Sequence, residues 1–124
     1  MKLPSLRRQL LGKRGEELAA SLLINKGYRL IEKNFRKRYG EIDLVARWQN
    51  TLVFVEVKTR IGRRFGTPEE SVTARKLRQV VKTAEYYKMT HAGLPDSLRI
   101  DVVAIELDDN LRVMSMRHIE NITL

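Results

Sequence analysis

The sequence predicts an α/β or α+β fold, in which helices pack against a central β-sheet. Two segments carry apolar residues at helical spacing, and five shorter segments between turn signals are rich in β-branched and apolar residues. These segments follow the order helix, three strands, helix, two strands. The length of 124 residues suits one domain with one core. We therefore expect a single domain over residues 12–124, preceded by a basic arm over residues 1–11.

The first predicted helix begins near Gly12 and ends at Gly27, because an apolar stripe fills the interval and glycine terminates helices. Residues 1–11 are basic with little periodicity, so this segment is either a loose arm or an early helical turn. Glu16 lies near the first turn, where an acid is favoured by the helix dipole. The alternative is that Glu16 points at a metal site.

The other elements are predicted from alternation and turn residues. Strands are expected over residues 28–35, 40–48, 52–58, 98–107 and 111–117, with the last at the sheet edge. A polar turn at residues 49–50 joins the second and third strands, and a hairpin turn at residues 108–110 joins the last two. Thr67 before Pro68 resembles a helix cap, which predicts a second helix from there to about Met89.

The third strand carries a carboxylate and an ammonium at positions that a purely structural strand would fill with apolar residues. Glu56 and Lys58 share one face, about 7 Å apart along the strand, because side chains alternate between faces. Antiparallel pairing through the short turn brings Asp43 of the preceding strand beside Glu56. The sequence therefore places two acids and a lysine on rigid strands.

Two neighbouring carboxylates repel each other unless a cation lies between them. Carboxylate oxygens with room for water and phosphate suit Mg²⁺ or Mn²⁺. A metal bound by Asp43 and Glu56 activates water and neutralises charge on a phosphate, while Lys58 holds the water or the phosphate oxygens. The alternative is that the three residues form a cross-strand ion-pair cluster on a solvated face.

The formal charge of +9 on so small a chain indicates a polyanionic partner, and nucleic acid is the expected one. A generally basic soluble protein is the alternative. The chain has no cysteine and two histidines, which excludes disulfides and thiolate metal sites and argues against structural zinc. Neither a signal peptide nor a membrane-spanning run is evident, so we expect a cytoplasmic protein without a membrane partner.

Basic side chains near the acids are the candidate phosphate contacts, and each has ordinary surface solvation as its alternative. They occur in the turn before Gly40, in a glycine- and arginine-containing segment after Lys58 that is predicted as a mobile loop, and on the second helix. These candidates are Arg36, Lys37, Arg60, Arg63, Arg64 and Lys76. Phe65 in the predicted loop is either an anchor or a wedge for distorted DNA.

Asp43 followed in the next strand by Glu56, Val57 and Lys58 resembles the PD-(D/E)xK nuclease superfamily, which includes archaeal Holliday junction resolvases. The chain is most similar to the YraN-like family of small predicted endonucleases. The matching pieces are Gly12, Gly15-Glu16, Gly27-Tyr28, Asn34, Gly40 to Leu44, Phe54 to Lys58, Arg60, Phe65-Gly66, Lys76 and Arg99 to Val102. Ile42 replaces the proline of the superfamily name, but the acid that follows carries the chemistry.

The resemblance implies a restriction-endonuclease-like core, with a mixed central sheet of about five strands and flanking helices. It implies that Mg²⁺ or Mn²⁺ is bound by the carboxylates of Asp43, Glu56 and Glu16 and by the Val57 carbonyl. Lys58 then assists catalysis, and Lys76 reaches the active site or the substrate. Resemblance to junction resolvases further implies branched DNA as a substrate and a symmetric homodimer.

The expected function is therefore a metal-dependent endonuclease that acts on nucleic acid, with DNA favoured over RNA. The alternative is a non-catalytic module that keeps the fold and binds nucleic acid or protein. Asp101 interrupts the fourth strand, where a charge needs a partner. Arg99 on the same face is the expected partner, and support of the catalytic cluster is the alternative.

Overall fold

A computed structural model describes the backbone of residues 2–64 and 66–122 and, within those ranges, the side chains from Leu6 onward. Phe65, for which we weighed two roles, lies outside the described residues. The elements are helix α1 (Lys2–Asn25), strands β1 (Arg29–Lys37), β2 (Gly40–Trp48) and β3 (Thr51–Ile61), a short 3-10 helix (Pro68–Ser71), helix α2 (Ala74–Thr90), and strands β4 (Ser97–Leu107) and β5 (Val113–Ile119).

The strands form one five-stranded mixed sheet in the order β1-β2-β3-β4-β5. Strands β1, β2 and β3 pair antiparallel, β3 and β4 pair parallel, and β4 and β5 pair antiparallel. The predicted fold class is thereby confirmed, and the architecture is consistent with a restriction-endonuclease-like core. Strand β1 forms one sheet edge and carries exposed cations, among them Arg29, Lys33 and Lys37.

Each face of the sheet has its own apolar core. Helix α1 packs Leu23 against one face, together with Val53 and Val55 of β3. Helix α2 packs Tyr87 against the other face, together with Phe54 of β3. Because the side chains of β3 alternate between the two faces, Glu56 lies on the same face as Phe54 and points to the side of α2.

Several element boundaries differ from the predictions. Helix α1 already begins at Lys2, so of the two alternatives for residues 2–11 the structure has the helical one. Strand β3 continues to Ile61, which pairs with Leu107, so Thr59 to Ile61 belong to the sheet and not to the predicted loop. Strand β5 begins and ends two residues later than predicted, at Val113 and Ile119.

The predicted start of the second helix at Thr67 was wrong. The Thr67 side chain makes no capping hydrogen bond, and only the short 3-10 helix follows it. Val72 and Thr73 are then extended, and the Thr73 hydroxyl accepts a hydrogen bond of 3.2 Å from the Lys76 N–H, which caps α2. Glu69 of the 3-10 helix is meanwhile bound by Arg117 of β5 at 2.6 Å. This tertiary contact fixes the short helix separately from α2.

Helix α1 lies close to the sheet at Gly15. A Cβ atom at this position would overlap the hydroxyl oxygen of Thr59 on β3. Glycine is therefore required for the helix to lie this close to the strand. The contact fixes the next residue, Glu16, beside the end of β3.

Substituting Gly15 by alanine is expected to destabilise the protein by about 1–3 kcal/mol, because the added methyl group forces the helix and strand apart. Gly12→Ala is the matched control, since no atom lies within 4 Å of a Cβ added there. This control should stabilise the helix by about 0.5–1 kcal/mol. Urea denaturation followed by circular dichroism measures both changes, and equal stabilities of the two variants would contradict the close contact.

Candidate metal centre

Asp43 lies where strand β2 separates from β3. The pairs between these strands end at Leu44 with Val55, although β2 continues to pair with β1 as far as Gly40. Beyond that last pair, the Asp43 Oδ2 atom accepts a hydrogen bond of 2.8 Å from the Val57 N–H. The carboxylate thus replaces a main-chain acceptor of the sheet. The same register places Asp43 opposite Glu56, as expected from the short turn.

Glu56 is a buried carboxylate with too few partners. It is 2% exposed, and its Oε1 atom is buried without a hydrogen-bond partner among the residues that the structure describes. Its Oε2 atom lies 3.8 Å from Nζ of Lys76 on α2, which is an ion pair too long for a hydrogen bond. Most buried polar atoms in proteins are hydrogen-bonded, so the Glu56 oxygen marks a place where a ligand is expected.

The charges around these acids do not balance. Burial and, after it, the charge of the neighbouring Asp43 raise the pKa of Glu56 to about 7, against the opposing effects of Lys76 and Lys58. Burial also raises the pKa of Asp43, although the Val57 N–H lowers it. Both shifts mean that the negative forms of the two acids lack sufficient positive charge nearby.

Glu16 on α1 joins the same group of acids. Burial raises its pKa, and the next largest cause is the charge of Asp43, whereas a hydrogen bond from the Asn34 side chain lowers it. Lys58 on β3 is half-buried and acts electrostatically on Asp43 and Glu56. Glu16, Asp43, Glu56 and Lys58, from α1, β2 and β3, therefore act on one another electrostatically, although the ligand oxygens of the three acids do not all lie within 4.8 Å of one another.

These residues fit a divalent cation bound by oxygen atoms. The unpartnered Oε1 atom of Glu56 and the carboxylate of Asp43 supply hard, negatively charged ligands. The Val57 N–H points toward β2. Because the N–H and C=O groups of one residue in a strand point to the same side, the Val57 carbonyl points toward β2 as well. The carbonyl of Val57 therefore faces the gap that β2 leaves.

The predicted phosphate contacts lie in different surroundings. Lys76 is 29% exposed and pairs with Glu56, so it belongs to the centre itself. Arg63 is bound to Glu106 at 2.5 Å, and Arg36 is bound to Glu41 at 2.7 Å. The other three are half-buried Arg60, whose Nη1 lies 3.5 Å from the Thr59 carbonyl oxygen, and exposed Arg64 and Lys37.

Asn34 lies beside these acids, although no role was predicted for it. The β1–β2 pairing passes from Lys33 with Leu44 to Phe35 with Ile42, so Asn34 lies opposite Asp43. Its φ of 54° lies in the left-handed region, which asparagine tolerates better than most residues. An asparagine inside a predicted strand was the available signal, but its partner Glu16 is on another element.

A second acidic group lies at strands β4 and β5. Asp101, His118 and Glu120 can each bring one ligand atom within 4.8 Å of the others, which is close enough to hold a metal ion. However, the Asp101 oxygens accept hydrogen bonds from Arg99 at 2.9 Å and from the Asn121 N–H at 3.0 Å, and His118 Nε2 lies 2.7 Å away. The predicted pairing of Asp101 with Arg99 is thus confirmed, and a metal ion would compete with this arginine.

The fold and the buried acids define a small mixed α/β protein with a possible acidic metal site. The chain belongs to UPF0102, which is described as an uncharacterised protein family and whose sequence model matches residues 15–105. The predicted membership of the YraN-like family is thereby confirmed. In the described part of the chain, neither helix is long and apolar enough to cross a membrane.

Relatives from several bacteria are similar over most of this chain. A UPF0102 protein of Syntrophomonas wolfei is 51% identical over 100 residues, which cover 80% of this chain and 86% of the relative. A UPF0102 protein of Symbiobacterium thermophilum is 50% identical over 95 residues, covering 77% and 80%. One of Moorella thermoacetica is 42% identical over 116 residues, covering 94% and 97%. These names identify the family and assign no activity.

Glu56→Gln should change the pH dependence of stability in metal-free buffer. The folded pKa of about 7 lies above the ordinary glutamate pKa of 4.5, so native stability falls as pH rises from about 4.5 to about 7. Ionisation of the buried Glu56 lowers the free energy of unfolding by about 3 kcal/mol, and this loss is complete above pH 7. Because glutamine does not titrate, the melting temperature of the variant should rise relative to the native protein between pH 5 and pH 8.

Differential scanning calorimetry at several pH values in the presence of EDTA measures this change. Glu85→Gln, at an exposed position on α2, is the matched control and should follow the native protein at every pH. A constant difference between Glu56→Gln and the native protein would show that the Glu56 carboxyl titrates at an ordinary pH.

Proposed function

We propose that this protein is a metal-dependent endonuclease that hydrolyses phosphodiester bonds, with DNA as the expected substrate. The observation that carries the proposal is the buried, unpartnered oxygen of Glu56 beside Asp43 and Lys58. The formal charge of +9 supports a nucleic-acid substrate. The resemblance to PD-(D/E)xK nucleases agrees with both observations.

In this proposal, Asp43, Glu56 and the Val57 carbonyl hold Mg²⁺ or Mn²⁺, and Glu16 supports the same ion or a second one. A bound ion of this kind lowers the pKa of water and neutralises charge on the scissile phosphate. The Val57 N–H holds Asp43 in position through its 2.8 Å hydrogen bond. Gly15 allows α1 to carry Glu16 to the centre, because the helix lies against Thr59.

Lys58 is the proposed catalytic lysine. It follows Glu56 by two residues, so the strand directs both side chains to the same face. Its ammonium has three donors and no acceptor, and it therefore orients the attacking water or stabilises the phosphate oxygens. Lys76 supplies a second ammonium 3.8 Å from Glu56, from where we infer that it contacts the phosphate.

The remaining phosphate contacts are proposed on the surface around the centre. Arg60, Arg64 and Lys37 contribute charge there. At Arg63 and Arg36, phosphate would have to compete with Glu106 and Glu41 for the guanidinium groups. A branched DNA substrate and a homodimer rest on the resemblance to junction resolvases, and a cytoplasmic location agrees with the absence of cysteine.

A non-catalytic binding module is the second candidate function. The observation in its favour is the Lys76–Glu56 ion pair, since an internal lysine partly neutralises the carboxylate that the metal requires. Such a module would keep the basic surface and bind nucleic acid without hydrolysing it. Metal binding separates the two functions.

Cleavage of labelled duplex, single-stranded, flap and four-way-junction DNA should require Mn²⁺ or Mg²⁺. Glu56→Gln and Lys58→Gln are each expected to lower the cleavage rate by about 100-fold or more, because both remove a group that acts on the reacting atoms. The metal should also stabilise the native protein, by about 2.7 kcal/mol when its concentration is 100 times its Kd, and so raise the melting temperature.

The two variants should differ in metal binding. Glu56→Gln should lose the metal-induced rise in melting temperature, whereas Lys58→Gln should keep it, because an ammonium does not bind a cation. Lys82→Gln, at an exposed position on α2, is the charge-matched control for both measurements. DNA binding by the native protein without any metal-induced stabilisation or cleavage would support the binding module instead.

A further inference from the structure

We propose that the pocket between helix α1 and strand β3 is a phosphate subsite, which holds a phosphate group of the nucleic acid beside the metal centre. The pocket has a volume of about 260 Å³ and is lined by Arg8, Gly12, Glu16, Lys58, Thr59 and Arg60, among others. The inference rests on the proposed function only in taking nucleic acid as the partner. It requires neither a bound metal nor cleavage.

The pocket results from a change in the separation between α1 and β3. Arg8, Gly12, Gly15 and Ala19 lie on one face of α1, at the spacing i, i+4, i+7 and i+11. At Gly15 the helix touches Thr59, and Ala19 is fully buried. At Gly12, one turn toward the N-terminus, a Cβ atom would meet nothing within 4 Å. The missing side chain of Gly12 therefore leaves the pocket open.

Basic residues are among those that line this opening. Arg8 and Lys58 line it together with Arg60, and Glu16 is the one acid among the lining residues. With the described residues, Arg60 makes a single weak hydrogen bond, to the Thr59 carbonyl at 3.5 Å. Arg8 forms no hydrogen bond or ion pair with the other residues whose side chains are described. The two guanidinium groups thus keep donors for a phosphate, which they bind through paired N–H groups.

The position of the pocket defines the phosphate that it can take. Lys58 and Glu16 belong both to the pocket and to the candidate metal centre, so the two sites adjoin. A strand with its scissile bond at the metal centre therefore places a neighbouring phosphate in the pocket. A 5′-terminal phosphate offers the same chemistry, and the experiment distinguishes these two sources.

Binding of fluorescein-labelled duplex DNA in EDTA, measured by anisotropy over a salt series, tests the subsite. Arg8→Gln should reduce the slope of log K against log salt by about 1, as expected for one lost phosphate contact. Gly12→Leu should weaken binding to a similar extent without lowering the melting temperature, because its side chain enters an open pocket. Gly12→Ala should weaken binding less, since a methyl group fills little of that space.

Lys13→Gln is the matched control for charge. Lys13 is exposed, lies on the same helix and faces away from the pocket, so its loss should leave the salt slope near the native value. A short single-stranded oligonucleotide with a 5′-phosphate or a 5′-hydroxyl identifies the source. Tighter binding of the phosphorylated form, lost in Arg8→Gln, assigns a terminal phosphate, and equal binding of both forms with weakened duplex binding assigns an internal one.

Three results would overturn the subsite: equal effects of Arg8→Gln and Lys13→Gln, native affinity in Gly12→Leu, or no DNA binding by the native protein at low salt. Because binding is measured without metal, the first two results are separate from those for the nuclease, whereas the third would count against both proposals. Cleavage that survives unchanged in Arg8→Gln and Gly12→Leu would reject the subsite alone. Pocket-dependent binding without cleavage in Mg²⁺ or Mn²⁺ would reject the nuclease alone.

Discussion

The hydrogen bond from the Val57 N–H to the Asp43 carboxylate is the contact on which the centre depends. A strand that separates from its neighbour leaves main-chain groups unpaired, and buried unpaired groups destabilise a fold. Asp43 supplies the missing acceptor, so β2 can diverge from β3 on the N-terminal side of Leu44 while the Val57 N–H keeps a hydrogen bond. The same bond holds the carboxylate opposite Glu56, where the two negative charges meet. One interaction thus both ends the strand pairing and builds the acidic centre.

The candidate metal centre places a buried carboxylate next to the buried apolar residues of β3. Leu52 to Val55 of β3 are buried and apolar, whereas Glu56 next to them is buried with an unpartnered oxygen and a pKa raised to about 7. A second buried acid, Asp101, has donors for both of its oxygens. The contrast between these two carboxylates separates an acid whose charge is satisfied within the fold from one whose charge is not.

Much of the centre was predictable because strand geometry is local. Alternation along β3 placed Glu56 and Lys58 on one face, and the short turn set Asp43 opposite Glu56. The start of α2 was not predictable, since Thr67 and Thr73 both resemble caps and the choice depends on the distant Arg117 holding Glu69. The contact of Asn34 with Glu16 and the pocket at Gly12 depend on how α1 lies against the sheet. The spacing of residues along the sequence does not determine the distance between α1 and the sheet.

The cations on the edge strand β1 affect which molecules can associate with this edge of the sheet. An edge strand displays unpaired N–H and C=O groups to any passing strand, and this invites one sheet to extend another. Here such a neighbour would bring a second row of the same cations alongside Arg29, Lys33 and Lys37 and strip water from both rows. Self-association through this edge is therefore discouraged, while a polyanion meets no such barrier. The same cations therefore disfavour extension of the sheet by a second strand and place no such barrier against a polyanion.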